Sequence, residues 1–124
     1  FLWAMFQRDA PGQVAGFIHL NSVESGVFQS ARLGYKLAEH AQGKGLMREG
    51  LEAVISGAFG RLNLHRLEAN YMVENHRSAR VLRSLGFDIV GMERDYLFLD
   101  GAWRDHILTS KKNPNWKAPE RSER

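Results

Sequence analysis

ARLGYKLAEHAQGKGLM, residues 31–47, is the passage that decides the fold. Its first part, Ala31 to Leu37, reads as a strand. His40-Ala41-Gln42-Gly43-Lys44-Gly45 is a glycine loop, and a helix follows from about Gly45 to Phe59. Met47, Leu51, Val54, Ile55, Ala58, Phe59 and Leu62 recur at helical spacing and make one apolar face. Gly60 marks the stop. The amides of a helix's first turn have no internal partner, carry partial positive charge and face outward, which suits them to phosphate. Glycines let a ligand approach the backbone closely, and Lys44 and Arg48 add charge. On its own, Gly-x-Gly reads at least as readily as a structural turn. A dinucleotide-binding fingerprint needs a third glycine where Arg48 stands, and the Gly-Lys-Ser/Thr of a P-loop is absent.

Working outward, Leu2 to Arg8 is a strand, Asp9-Ala10-Pro11-Gly12 a turn and Gln13 to Ser22 a second strand, together a hairpin. Glu24 to Ser30 is a polar loop. Beyond the helix, Arg66 to Met72 is a fourth strand. Asn75 is a good N-cap for a second helix running to Leu85, with Ala79, Leu82 and Leu85 on one face. Gly86 stands where a C′ glycine belongs, and Phe87 supplies the apolar contact after it. Asp88 to Leu99 and Ala102 to Ser110 are the last strands, joined by the hairpin dipeptide Asp100-Gly101, with Gly91 marking a bulge. The strand–helix–strand centre predicts a parallel pair, and the ends predict antiparallel hairpins. The class is therefore α+β, a mixed, mostly antiparallel sheet. One domain is expected over 1–116, with a polar tail over 117–124.

The length, 124 residues, suits one domain that buries roughly two-thirds of its unfolded surface. The absence of cysteine excludes disulfides, thiol catalysis and Cys-based zinc sites. No apolar run approaches the ~20 residues of a membrane span, and no signal segment opens the chain. A cytoplasmic protein with no membrane partner is expected. The net charge of +3 suits an anionic ligand and is too weak and scattered to argue direct nucleic-acid binding. His19, His40, His65, His76 and His106 show no metal-ligand spacing, so no metal is expected. The chain enters a strand at once, without Met, and is expected to be N-terminally incomplete.

The loop Gln42-Gly43-Lys44-Gly45-Leu46 resembles the acetyl-CoA signature of the GNAT superfamily of N-acetyltransferases, Gln/Arg-x-x-Gly-x-Gly/Ala opening a helix. His40 departs from the usual first residue. The second helix, Asn75 through Leu85-Gly86-Phe87, resembles the next motif of those enzymes. Gln42 to Met47, Ala69-Asn70-Tyr71-Met72, Arg77-Ser78 and Asp100-Gly101-x-Trp103-Arg104-Asp105-His106 are together similar to the RimJ group of ribosomal-protein-alanine N-acetyltransferases, as is Asn113 to Trp116. The resemblance covers residues 3–116. It implies a GNAT (acyl-CoA N-acyltransferase) fold with its first strand and helices missing, and acetyl-CoA lying between two splayed parallel strands, Ala31–Leu37 and Arg66–Met72. It places the pantetheine on backbone around Leu33, Gly34 and Tyr35. It places the pyrophosphate on amides of Gln42, Gly43, Lys44, Gly45, Leu46 and Met47, with Asn75 adjacent. The acceptor amine would attack the thioester directly, with no metal.

Proton chemistry has several candidates. Many relatives carry a tyrosine acid seven residues after the helix-start Asn, and here that residue is Leu82. RimL-type relatives carry a serine three after it, which is Ser78, a candidate acid or thiolate donor; the alternative is a first-turn serine bonding to backbone. Their glutamate base corresponds to Leu97. Counting back from Asp100-Gly101 sets Leu97 opposite Arg104 and Asp95 opposite His106, about 5 Å apart at Cβ. A carboxylate beside an imidazole orients it and raises its basicity, so an Asp95–His106 pair is a candidate base; a solvent-side pair is the alternative, and a bulge would break the register. Glu68 is a second candidate base, or else a strand glutamate pairing with Arg66 or Arg80. The function expected is acetyl transfer to the N-terminal alanine of a ribosomal protein. The alternatives are a small-molecule N-acetyltransferase and a non-catalytic acetyl-CoA- or ribosome-binding module. A sheet lacking its first strand leaves an edge at which a second copy can pair as a dimer.

Overall fold

A computed structural model describes residues 1–118; the tail expected over 117–124 lies, from residue 119 onward, outside the described residues. Strands β1 (Leu2–Gln7), β2 (Ala10–Glu24) and β3 (Ser30–Leu37) lead into helix α1 (Leu46–Gly60). Strand β4 (Arg66–Met72), helix α2 (His76–Ser84), β5 (Asp88–Leu99) and β6 (Ala102–Lys112) follow. The six strands form one sheet in the order β1-β2-β3-β4-β6-β5. Only β3 and β4 run parallel. The mixed α+β architecture thus stands as expected.

Side-chain alternation sorts the sheet into two faces. Ile18, Leu20, Ala31, Leu33, Leu67, Ala69 and Tyr71 point to one side, where they meet Met47, Leu51, Val54, Ile55 and Ala58 of α1 and Leu82 and Leu85 of α2 in a single core. Both helices therefore cover the same face. They are also tied to each other, since Arg48 Nε donates to Ser84 Oγ at 3.1 Å. The sequence assigned the Arg48 guanidinium to the glycine loop, but it is engaged with Ser84 and with Glu52 at 3.6 Å.

Three local expectations are corrected. The first hairpin turns at Arg8-Asp9, and Pro11-Gly12 lies within β2 where the register slips: Gln7 faces Ala10 and Phe6 faces Val14. Proline cannot donate to a ladder, so the extra residues bulge out around it. Helix α1 ends at Gly60, as expected, but Leu62, counted on its apolar face, does not belong to it; Asn63 just beyond is left-handed, at φ 48°. Leu62 accordingly falls past the helix and is exposed. Strand β6 extends to Lys112, beyond the expected Ser110.

Helix α2 matches its reading closely. Asn75 Oδ1 accepts from the Ser78 amide at 3.1 Å. At the other end the Phe87 amide bonds to Leu82 O at 3.0 Å and the Gly86 amide to Arg83 O at 3.0 Å, the paired bonds of a Schellman stop. Phe87 is buried against the core.

Asn113 fastens the C-terminal end of the sheet to the rest. Its side-chain amide donates to Phe59 O at 3.1 Å and Leu64 O at 3.0 Å, and its Oδ1 accepts from Asn115 at 2.9 Å. Trp116 Nε1 reaches Gln29 Oε1 at 2.9 Å, and Lys117, where the tail was expected to begin, is bonded on both sides of its peptide to Asn63. Asn113→Ala would strand two carbonyls near the end of α1. It is expected to cost about 2 kcal/mol, read from denaturant midpoints; a loss below about 0.5 kcal/mol would mean water replaces the amide.

Candidate functional site

The site begins where β3 and β4 part. Their ladder runs from Ser30 opposite Arg66 to Leu33 opposite Ala69 and stops there. Beyond that point β3 stays paired to β2 (Gly34 with His19 through Leu37 with Gly16), and β4 stays paired to β6 (Asn70 with Leu108 through Met72 with His106). Each strand is held by its outer neighbour while the inner edges diverge. Gly34–Leu37 and Asn70–Met72 therefore present backbone donors and acceptors that no strand satisfies. Such groups need partners, and an extended ligand bearing amides is the natural one.

The glycine loop closes one end of this cleft. Gly43 and Gly45 have φ of 79° and 72°, and Gly45 is the N-cap of α1. That left-handed backbone costs side-chain-bearing residues energy. The first intrahelical bond runs from the Glu49 amide to Gly45 O at 3.2 Å, which leaves the amides of Leu46, Met47 and Arg48 free of helix partners. Gly43, Lys44 and Gly45 are exposed, whereas the Met47 side chain belongs to the core, so Met47 can offer only backbone. A Cβ added at Gly43 or Gly45 would meet nothing within 4 Å. Conformation, and room for a ligand, explains the glycines there.

Helix α2 supplies a residue the sequence did not assign. The Arg77 guanidinium donates to Gln42 Oε1, while Gln42 Nε2 reaches back to Leu37 O at 3.4 Å. A cation is thereby brought to the loop from another element. The signal that could have found it is position: Arg77 is in the first turn of a helix whose N-terminus faces the cleft. Leu82, the position of the absent tyrosine, is buried in the core at 1% exposure.

Ser78 follows Arg77. Its amide is taken by the Asn75 cap, and its hydroxyl stands beside the Tyr35 phenol, near enough to favour the phenolate but outside hydrogen-bond geometry. The Tyr35 hydroxyl oxygen is buried with no hydrogen-bond partner among the described residues. Burial raises the Tyr35 pKa above its ordinary value, with Ser78 opposing the shift and Tyr71 adding to it.

On the opposite face, away from both helices, Glu68 lies one residue before the strands part. Arg66 is 3.2 Å from it and Arg32 3.9 Å, so the Arg66 pairing expected as an alternative is present and Arg80 takes no part in it. His106 is on this face too, 4% exposed, with Nδ1 3.0 Å from Arg104 O. Its ring packs on Tyr96 at 5.4 Å, and the Tyr96 hydroxyl accepts from Asn70 at 3.3 Å.

The Asp95–His106 pair does not form. Leu97 faces Arg104, as counted, but Glu93 then faces His106. Three residues, Arg94 to Tyr96, stand against Asp105 alone. Asp95 sits in that bulge at φ 49°, and its amide donates to Asp105 Oδ1 at 2.9 Å. The carboxylate of Asp105 replaces the lost ladder bond, and Asp95 no longer stands opposite the imidazole. The second irregularity, between Ile89 and Gly91, is the bulge expected at Gly91.

The family model for the acetyltransferase (GNAT) domain matches residues 1–88. The chain is 40% identical over 116 residues to a [ribosomal protein uS5]-alanine N-acetyltransferase of Escherichia coli, covering 94% of this chain and 59% of that protein. A crystal structure of ribosomal-protein-S5-alanine acetyltransferase from Vibrio fischeri superposes with a TM-score of 0.84 at 40% identity, over 86% of this chain and 58% of that one. Mycobacterium smegmatis RimJ, solved in complex with CoA-disulfide, superposes with a TM-score of 0.79 at 35% identity, over 83% and 49%. The chain thus spans between about half and three-fifths of the length of these relatives. Among the described residues no group of three or more His, Asp and Glu stands together as a metal site.

The bulge yields a test. Asp105→Ala removes the acceptor of the Asp95 amide and is expected to cost about 1 kcal/mol. Asp95→Gly trades relief at a left-handed φ against glycine's entropy and should stay within about 1 kcal/mol of the parent. Denaturant midpoints check both; the reverse order would show that the Asp95 carboxylate itself carries the contact.

Proposed function

Because this chain belongs to the GNAT acetyltransferase family, we propose that it is the acetyl-CoA-binding part of an N-acetyltransferase whose acceptor is the N-terminal alanine of a ribosomal protein. The observation that carries the reading is the parting of β3 and β4 directly beside the glycine loop. The edge of Gly34–Lys36 that β4 leaves uncovered offers backbone to the amides of a pantetheine arm. The free amides at the start of α1, with Lys44 and Arg77 nearby, suit a pyrophosphate. The 40% identity to an alanine N-acetyltransferase supports the choice of acceptor.

Acetyl-CoA would supply the thioester carbon that an amine attacks. The protein's part is to hold that thioester at the cleft, receive the amine and stabilise the sulfur as it leaves. Asn75 caps the first turn of α2 through the Ser78 amide, which fixes the backbone that carries Ser78. Ser78 is the candidate donor to the sulfur. On the other face Glu68, half-buried and beside the vertex, is the remaining carboxylate candidate for drawing a proton from the amine through water. His106, held by Arg104 O and Tyr96, is placed as a wall of that face. No helix among the described residues is long and apolar enough to cross a membrane, and a cytoplasmic setting fits the acceptor proposed.

The full-length protein carrying this chain should acetylate a peptide beginning with the alanine of a ribosomal protein, followed by thiol release. A peptide with that first amine blocked should be inert, and free polyamines should turn over at least about tenfold more slowly in kcat/KM. Preference for the free amines would make it a small-molecule enzyme; acetyl-CoA binding without turnover on any amine would make it a binding module.

A further inference from the structure

Tyr35 is placed where the strands have just parted. It is on the helix-covered face with Leu33 and Tyr71 and packs against the core, yet its hydroxyl oxygen is buried without a partner among the described residues. An unsatisfied buried hydroxyl costs about 1–3 kcal/mol, and native proteins keep few of them. Ser78, in the first turn of α2, is the side chain that opposes the effect of this burial on the phenol, which sets the two hydroxyls beside each other; Ser84, the other serine of α2, bonds instead to Val81 O at 2.7 Å. One hydroxyl on β3 and one in the first turn of α2 are thus neighbours beside the point where β3 and β4 part.

We propose that Tyr35 is a positioning residue for the departing thiolate: its O–H donates to Ser78 Oγ, so that the Ser78 proton points into the cleft at the sulfur. The inference rests on the acetyl-transfer reading and extends it to a residue that reading does not use. Burial disfavours the Tyr35 phenolate, so the phenol stays protonated and acts as a fixed donor rather than a proton source. The step balances without it. A bond forms between the amine nitrogen and the carbonyl carbon, the carbon–sulfur bond breaks, and its electron pair goes to sulfur. The amine's surplus proton leaves to solvent, and the thiolate, hydrogen-bonded by Ser78, later takes a proton from solvent. A hydroxyl whose own oxygen accepts a hydrogen bond is a stronger donor, which is the advantage of the pair over a lone serine.

The test uses the full-length protein, with free CoA as the probe. Hydrogen bonds to a thiolate favour its charged form, so the thiol of bound CoA, followed by thiolate absorbance against pH, should titrate below that of CoA in solution. Tyr35→Phe keeps the ring and removes an unpaired hydroxyl, so it should fold and bind CoA. It is expected to move the bound thiol about half a unit to one unit back toward the solution value. It should also lower kcat about tenfold at an acetyl-CoA KM within about twofold of the parent. In a Ser78→Ala background the same change should do nothing further. A bound-thiol titration indifferent to Tyr35, or one shifted equally with and without Ser78, overturns the proposal while leaving acetyl transfer intact. Failure of the parent to bind CoA overturns both.

Discussion

Between Leu33 and Gly34 a parallel ladder ends without either strand ending. β3 and β4 exchange backbone bonds over four residue pairs and then separate, each held from outside by an antiparallel neighbour. The site depends on this arrangement. A strand edge at the rim of a sheet is open to any partner, but one in the middle is open only if its neighbour is pulled away. Here β2 and β6 do the pulling, and the glycine loop that follows β3 is tied to the first turn of α2 through Arg77. The unpaired backbone is thus held in a rigid sheet, where a ligand can use it without the ordering cost that a loop would impose.

The helices complete the cleft from one side only. They pack on one face and are joined by the Arg48–Ser84 contact, which ties the first turn of α1 to the last residue of α2. The link from Arg77 to Gln42 then ties the second helix to the glycine loop. The other face carries Glu68, Asn70, Tyr96 and His106. Two chemically distinct surfaces meet at the vertex: hydroxyls and free amides on the helix side, a carboxylate and an imidazole on the open side. That division suits a reaction with one reactant to a side.

Much of this was legible along the chain because it is local. The face of α1, the Asn75 cap, the Gly86-Phe87 stop and the Asp100-Gly101 turn are each fixed by residues within a few positions of one another, and their residue types announce them. The glycine loop was legible for the same reason. What escaped depends on distant partners or on non-glycine residues in left-handed backbone. Asn63, left-handed just past the end of α1, exchanges two hydrogen bonds with Lys117, 54 residues away. Asp95 adopts a φ of 49° because Asp105 offers its amide an acceptor, and that one bulge separates it from His106. Arg77 and Tyr35 gain their meaning from elements that meet only in the fold. Register counted outward from a turn held as far as Leu97 and failed at the first bulge beyond it.

The account stands on the glycine loop receiving a pyrophosphate, and calorimetric titration with acetyl-CoA tests that most directly. The parent and a variant carrying Gly43→Val and Gly45→Val would be compared after their far-ultraviolet spectra are matched. A Cβ at either position meets no atom within 4 Å, but a valine there is strained at a positive φ and crowds the approach to the free amides. The account predicts saturable binding by the parent and at least about a hundredfold weaker binding by the variant. Equal affinity in the two would contradict it, because the loop would then be a turn and the ligand would lie elsewhere.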